Sequence, residues 1–208
     1  KKGDKIFLKK VNSIDLERGV ISDNLIQNPE ALLSAVKSLL RKMKFFSWKR
    51  NICISLGGTA TMIKKIKVPI VEGEDDLDDV IEVEAQQAFS YDLEELYYDY
   101  FLPEASTSSG KKEVILVSAK KEIIDDYIEV FNDAKINISV TDSDTLALVN
   151  LFSFLYDEAE GLSVVVNFGA MSSQVLFLYQ GKYEFSREIS FGCDRFSKKV
   201  SEELHITE

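Results

Sequence analysis

Apolar residues recur along this chain with two different spacings, and the two alternate from one end to the other. Ile6, Leu8, Val11 and Ile14 fall in an alternating pattern that predicts a strand, and Gly19-Val20-Ile21-Ser22 predicts a second short strand after a turn. Asn28-Pro29-Glu30 then reads as a helix start. An asparagine can cap the first free amides, proline at the first helical position lacks only an N–H that would go unused, and an acid favours the positive end of the dipole. Leu32, Leu33, Val36, Leu39, Leu40 and Met43 follow on one helical face. Asn51 to Leu56 predicts a strand closed by Gly57-Gly58, with Trp48 before it as a core or edge anchor.

The pattern repeats downstream. Met62 to Pro69 predicts a strand, and Leu77, Val80, Ile81, Ala85, Ala88 and Phe89 predict a helix whose outer face is acidic. Leu93 to Leu102, dense in tyrosine, predicts a strand. Pro103 to Gly110 reads as an exposed hairpin loop, because Glu113 to Ala119 resumes at once as a buried strand. Ile123, Ile124, Tyr127, Ile128 and Phe131 mark a helix, Ile136 to Val140 a strand, and Leu146 to Tyr156 another helix. The order from Met62 to Asp142 is that of a small α+β unit set between two segments with α/β character.

The stretch from Ser163 to Arg195 carries the clearest candidate chemistry. Val164 to Val166 lead to Asn167 and Gly169, small hydroxyl residues follow, and a second apolar run starts at Val175. Gly181 marks the next turn, so three antiparallel strands are expected, and Gly192 precedes a helical pattern of Phe196, Val200 and Leu204. A tip made of Gly169, Ala170, Ser172 and Ser173 leaves amides and hydroxyls uncovered, as a phosphate-cradling hairpin requires, and Gly192 would bring a helix N-terminus to the same place. The same residues also suit a hairpin with no ligand at all.

Composition narrows the function. With 25 basic against 35 acidic residues, the chain lacks the cationic surface that nucleic-acid binding needs. Cys53 and Cys193 stand far apart and His205 is the single histidine, which argues against a zinc site or a Cys–His catalytic pair. Asp75, Asp76, Asp78 and Asp79 lack the spacing of a calcium loop and read as acids at a helix start. No apolar run approaches the roughly 20 residues of a membrane span. The chain reads as a cytosolic piece of a longer protein.

Several segments together resemble the PilM family, the actin-like proteins of type IV pilus assembly related to the cell-division protein FtsA. They are Asn28-Pro29-Glu30-Ala31-Leu32, Lys67-Val68-Pro69, Ile81-Glu82-Val83-Glu84-Ala85-Gln86-Gln87, Glu113 to Glu122, and Val140-Thr141-Asp142. The resemblance implies a truncated actin-like (ribonuclease H-like) α/β fold with an inserted small α+β subdomain. Residues 1–61 would form part of the first actin-like subdomain, 62–142 the insertion, and 143–208 the returning helix and the start of the second.

The resemblance further implies a scaffold at the inner face of the bacterial inner membrane. It would bind the N-terminal cytoplasmic peptide of PilN and link the pilus inner-membrane platform to its motor. In such proteins the peptide lies between the insertion and the first subdomain, here among Ile52–Val68 and the helix from Leu77 to Phe89. Asn167, Gly169, Ala170, Ser172, Ser173 and Gly192 correspond to the family's second phosphate hairpin, which implies ATP with magnesium as the ligand of the longer protein. Asn167 stands where the family has aspartate, so the charge that would organise magnesium is missing and weak nucleotide binding is expected. An actin-like ATPase, an FtsA-like division protein and the cytoplasmic domain of a type II secretion homologue share the fold and remain alternatives. An open sheet edge would also favour homo-oligomers.

Overall fold

The computed structural model of the protein describes residues 7–22, 24–44, 52–71, 73–103, 107–108, 110–156 and 160–206. The elements run β1 (Ile21–Ser22), β2 (Leu25–Ile26), α1 (Pro29–Met43), β3 (Ile52–Leu56), β4 (Thr61–Pro69), α2 (Glu74–Ala88), β5 (Leu96–Phe101), β6 (Thr107–Ser108), β7 (Lys111–Lys120), α3 (Lys121–Asp133), β8 (Ile138–Ser143), α4 (Asp144–Leu155), β9 (Leu162–Phe168), β10 (Ser173–Tyr179), β11 (Lys182–Ile189) and α5 (Cys193–Leu204). They fall into two compact units, one holding residues 1–54 and 122–141 and the other 55–121 and 142–208.

In the first unit, α1 begins as its sequence dictates. Asn28 Oδ1 accepts from the Ala31 amide at 3.0 Å, Pro29 opens the helix, and Lys44 closes it in the left-handed conformation at φ 50. Leu32 on α1 and Val130 on α3 are buried together with Val20, and Ile21, Ile26, Leu33, Val36 and Tyr127 pack around them. That shared cluster holds α3 beside α1 within this unit. The strand expected around Leu8 and Val11 does not form. Residues 7–17 have no regular structure, with Leu8 83% and Val11 71% exposed, so the alternation has no partner strand among the described residues. The short β2 went unforeseen because two residues carry no period. Trp48 lies outside the described residues.

The second unit is built on β7. It runs antiparallel to β4 on one side, from Thr61 opposite Ala119 to Pro69 opposite Lys111, and to β5 on the other. Residues alternate between the two faces. One face buries Val68, Leu96, Val114 and Leu116 against Leu77, Ile81 and Ala85 of α2 and Phe89 just past its end, whose four-residue spacing forms the apolar stripe of a helix packed on a sheet. The opposite face carries Lys65, Lys67, Glu113 and the fully buried Ile115. The Thr61 and Ser143 hydroxyls meet at 3.0 Å and tie the start of β4 to the end of β8.

The remaining sheet has β10 between β9 and β11, all antiparallel, and buries Leu176 and Leu178 completely. Val164, Val166 and Phe168 on β9 stay open to solvent, as do Phe196 and Leu204 on α5. The amphipathic patterns read from the sequence are therefore present here, with their apolar sides uncovered among the described residues.

The double burial of β7 predicts a large cost for truncating it. Leu116→Ala should lower unfolding stability by about 2–5 kcal/mol, read as a reduced urea midpoint with little change in slope.

Candidate functional site

The site is assembled from the end of β9, the turn to β10, the end of β11 and the start of α5. Gly169 donates its amide to the Ser172 carbonyl at 3.0 Å, closing a tight turn. A Cβ at Gly169 would sit 2.7 Å from that same carbonyl oxygen, so only glycine lets the chain fold back so closely. The turn then docks on α5. The Gly169 carbonyl accepts from the Cys193 amide and the Ala170 carbonyl from the Asp194 amide, each at 2.9 Å. Gly192 is buried beneath these carbonyls, and a Cβ there would collide with the Ala170 oxygen. Its role is close approach; its backbone is ordinary extended chain, with φ −141.

The hydroxyls of the tip face inward to the protein's own groups. Ser172 Oγ donates to Glu188 Oε1 and Ser173 Oγ to the Phe191 carbonyl, both at 2.6 Å. Ser173 is buried, while Asn167 is exposed and stands opposite Gln174 in the β9–β10 register. All six residues singled out in the sequence thus come together, and the structure gives most of them bonds within the chain.

Beside the turn lies a group that the sequence pattern did not single out. Gln174, buried at the start of β10, donates its Nε2 to Thr145 Oγ1 at 2.7 Å. Gln174 Oε1 and Asp144 Oδ1 are both buried without a hydrogen-bond partner. Burial pushes the Asp144 carboxyl above its ordinary value and the Glu188 charge adds to this, whereas hydrogen bonds from Gln174 and Thr145 act the other way. The available signal was a polar pair, Ser173-Gln174, opening an otherwise apolar strand. Asp144 lies just ahead of the helix expected from Leu146 and carried no signal of its own.

A family model described as type IV pilus assembly protein PilM matches residues 1–208. The chain belongs to this family. Among solved structures, it is similar to PilM in a "PilM-PilN type IV pilus biogenesis complex", with a TM-score of 0.76 and 20% identity over 92% of this chain and 57% of that one. It is also similar to the cytoplasmic domain of EpsL, an inner-membrane component of the type II secretion system of Vibrio cholerae. There the TM-score is 0.52 and the identity 10%, covering 88% of this chain and 64% of the other. This PilM-family chain spans less than two thirds of either protein's length. Its fold is the actin-like α/β fold, and its family role is type IV pilus assembly.

ATP with magnesium, which the family likeness implies, can be tested against these side chains. The tip hydroxyls and the first α5 amides are engaged inside the chain, position 167 is a neutral amide, and the Asp144 and Glu188 carboxylates stand alongside. A terminal phosphate would have to displace these internal bonds, so the hydroxyls and amides as they are bonded here do not fit it. Among the described residues no group of three or more His, Cys, Asp or Glu side chains is gathered to hold a metal. No helix among them is long and apolar enough to cross a membrane.

Two outcomes follow. Gly192→Ala should destabilise the chain by about 1–3 kcal/mol through the clash with Ala170, visible as a drop of a few degrees in Tm. For Asp144 the folded pKa lies above the unfolded one, so its contribution to stability is fully present below about pH 4 and is lost as pH rises through the folded pKa. Asp144→Asn should therefore raise Tm at pH 7, with the advantage shrinking as the scan is repeated towards pH 4.

Proposed function

We propose that this chain is the partner-binding part of a cytoplasmic adaptor of type IV pilus assembly. It holds the N-terminal cytoplasmic peptide of PilN and thereby links the inner-membrane platform to the motor. The observation that carries this reading is the likeness to PilM of the PilM–PilN complex over 92% of the chain, joined to the family match over residues 1–208. The adaptor reading needs a stable surface and no chemical step. The engaged phosphate-type turn, whose carbonyls and hydroxyls hold α5 and β11, supports it over an ATPase cycle. The peptide-bearing surface is assigned to the segments carrying β4 and α2.

Titration of a synthetic PilN N-terminal peptide against the chain, followed by calorimetry, tests the reading. Saturable one-to-one binding, lost with a scrambled peptide, is the expected result. Absence of binding, together with magnesium-dependent ATP turnover abolished by Gly169→Val, would instead favour the actin-like ATPase.

A further inference from the structure

The face of the β4–β7–β5 sheet turned away from α2 is closed in an unusual manner. At the β4–β7 side it is held by charge. Lys65 Nζ lies 3.0 Å from Glu113 Oε2 on β7 and 3.0 Å from both carboxylate oxygens of Glu184 on β11. Lys67 Nζ reaches the other oxygen of Glu113 at 3.7 Å. Lys65 is thus shared by two carboxylates, and its side chain is only 23% exposed. Further along the same face, Phe101 and Ile115 of the sheet are separated from Leu146 and Val149 of α4 and Tyr183 of β11 by a cavity of about 650 Å³. A dry core packs at crystal-like density. Here buried Ile115 and Tyr183 and the bond from Ser153 Oγ to the Gly181 carbonyl close the face beside a space that is not filled, so the shared cation is one of few direct ties between β4 and β11 among the described residues.

Strand β11 has a second attachment. Four residues beyond Glu184, Glu188 accepts from the hydroxyl of Ser172 in the turn that docks on α5. The two acids lie on one short strand: Glu188 is paired with Gln174 in the β10–β11 ladder, and Glu184 sits at the bulge where that ladder shifts register, so the link between the two ends runs along the β11 backbone itself.

We propose that Lys65 latches the β4–β7–β5 sheet to β11, and that β11 couples this latch to the Ser172–Glu188 bond, so that the turn and the sheet open together. The inference does not depend on the identity of the partner peptide. The titration of Lys65 is in keeping with the latch: burial pulls its pKa down, but the hydrogen bonds to Glu184 and Glu113 outweigh this and leave it above the ordinary value. The lysine's side of the attraction is accordingly present throughout the neutral range and is lost as pH rises through that raised pKa. Partial exposure keeps its strength modest.

Amide hydrogen exchange on the 208-residue chain tests both parts. Lys65→Gln should speed exchange of β4 and β11 amides roughly two- to fivefold. Glu184→Gln should act in the same direction but less strongly, since Lys65 keeps Glu113, and the double variant should be no faster than Lys65→Gln alone, because the Glu184 contact is already lost with Lys65. Additive effects, or unchanged exchange in β11, would overturn the latch. Raising salt from about 0.05 M to about 1 M with the unaltered chain should shift the same amides in the same direction, which needs no variant to fold. For the coupling, Glu188→Gln should accelerate exchange in β4 near Lys65 as well as in the turn. Acceleration confined to residues 169–173 would overturn it.

Discussion

Strand β7 is the constraint on which the second unit depends. Val114, Ile115 and Leu116 are consecutive and all fully buried, so both faces of the strand are covered. Successive side chains in a strand point to opposite sides, and a run with no exposed member can be satisfied only by two layers. On one side the layer is α2, with its stripe of Leu77, Ile81 and Ala85, and Phe89 just past its end. On the other it is a looser arrangement of Lys65, the cavity, α4 and β11. One side is a conventional core and the other an interface with room in it.

The candidate site shows how an anion-binding arrangement can be turned inward. A helix N-terminus has free amides and a favourable dipole for negative charge, and a glycine turn has free backbone. Here the two features are brought together and bond to each other, carbonyl to amide, with Gly192 removing the side chain that would keep them apart. The hydroxyls that could have supplemented the backbone point to Glu188 and Phe191. What the arrangement does well is hold α5, the turn and β11 in one frame. A frame of that kind suits a protein whose output is a contact with a partner.

Most of the elements were legible because the sequence carries local signals that tertiary contacts did not override. Asn28-Pro29 caps α1 as read, Pro69 ends β4, and the glycines of the last segment fall at the expected turns. The alternation around Leu8 and Val11 failed because a strand is stabilised by its neighbour, and periodicity says nothing about whether a neighbour is present. Likewise, α3 has the same amphipathic pattern whether it packs on an inserted sheet or on α1. The contact of Val130 and Tyr127 with the Leu32 cluster is visible only in the structure.

Local sequence dictated most strand and helix types, the position of the hairpin, the family likeness and the meeting of glycine turn with helix start. These follow from backbone stereochemistry and from short-range periodicity, both of which act within a few residues. Only the tertiary structure decided what the six hairpin residues bond to, that Asp144 and Gln174 share a buried corner beside them, and that Lys65 is divided between Glu113 and Glu184. Each of those depends on groups brought together from distant parts of the chain. Hydrogen bonding and charge pairing are decided by distance in space, which spacing along the chain does not record.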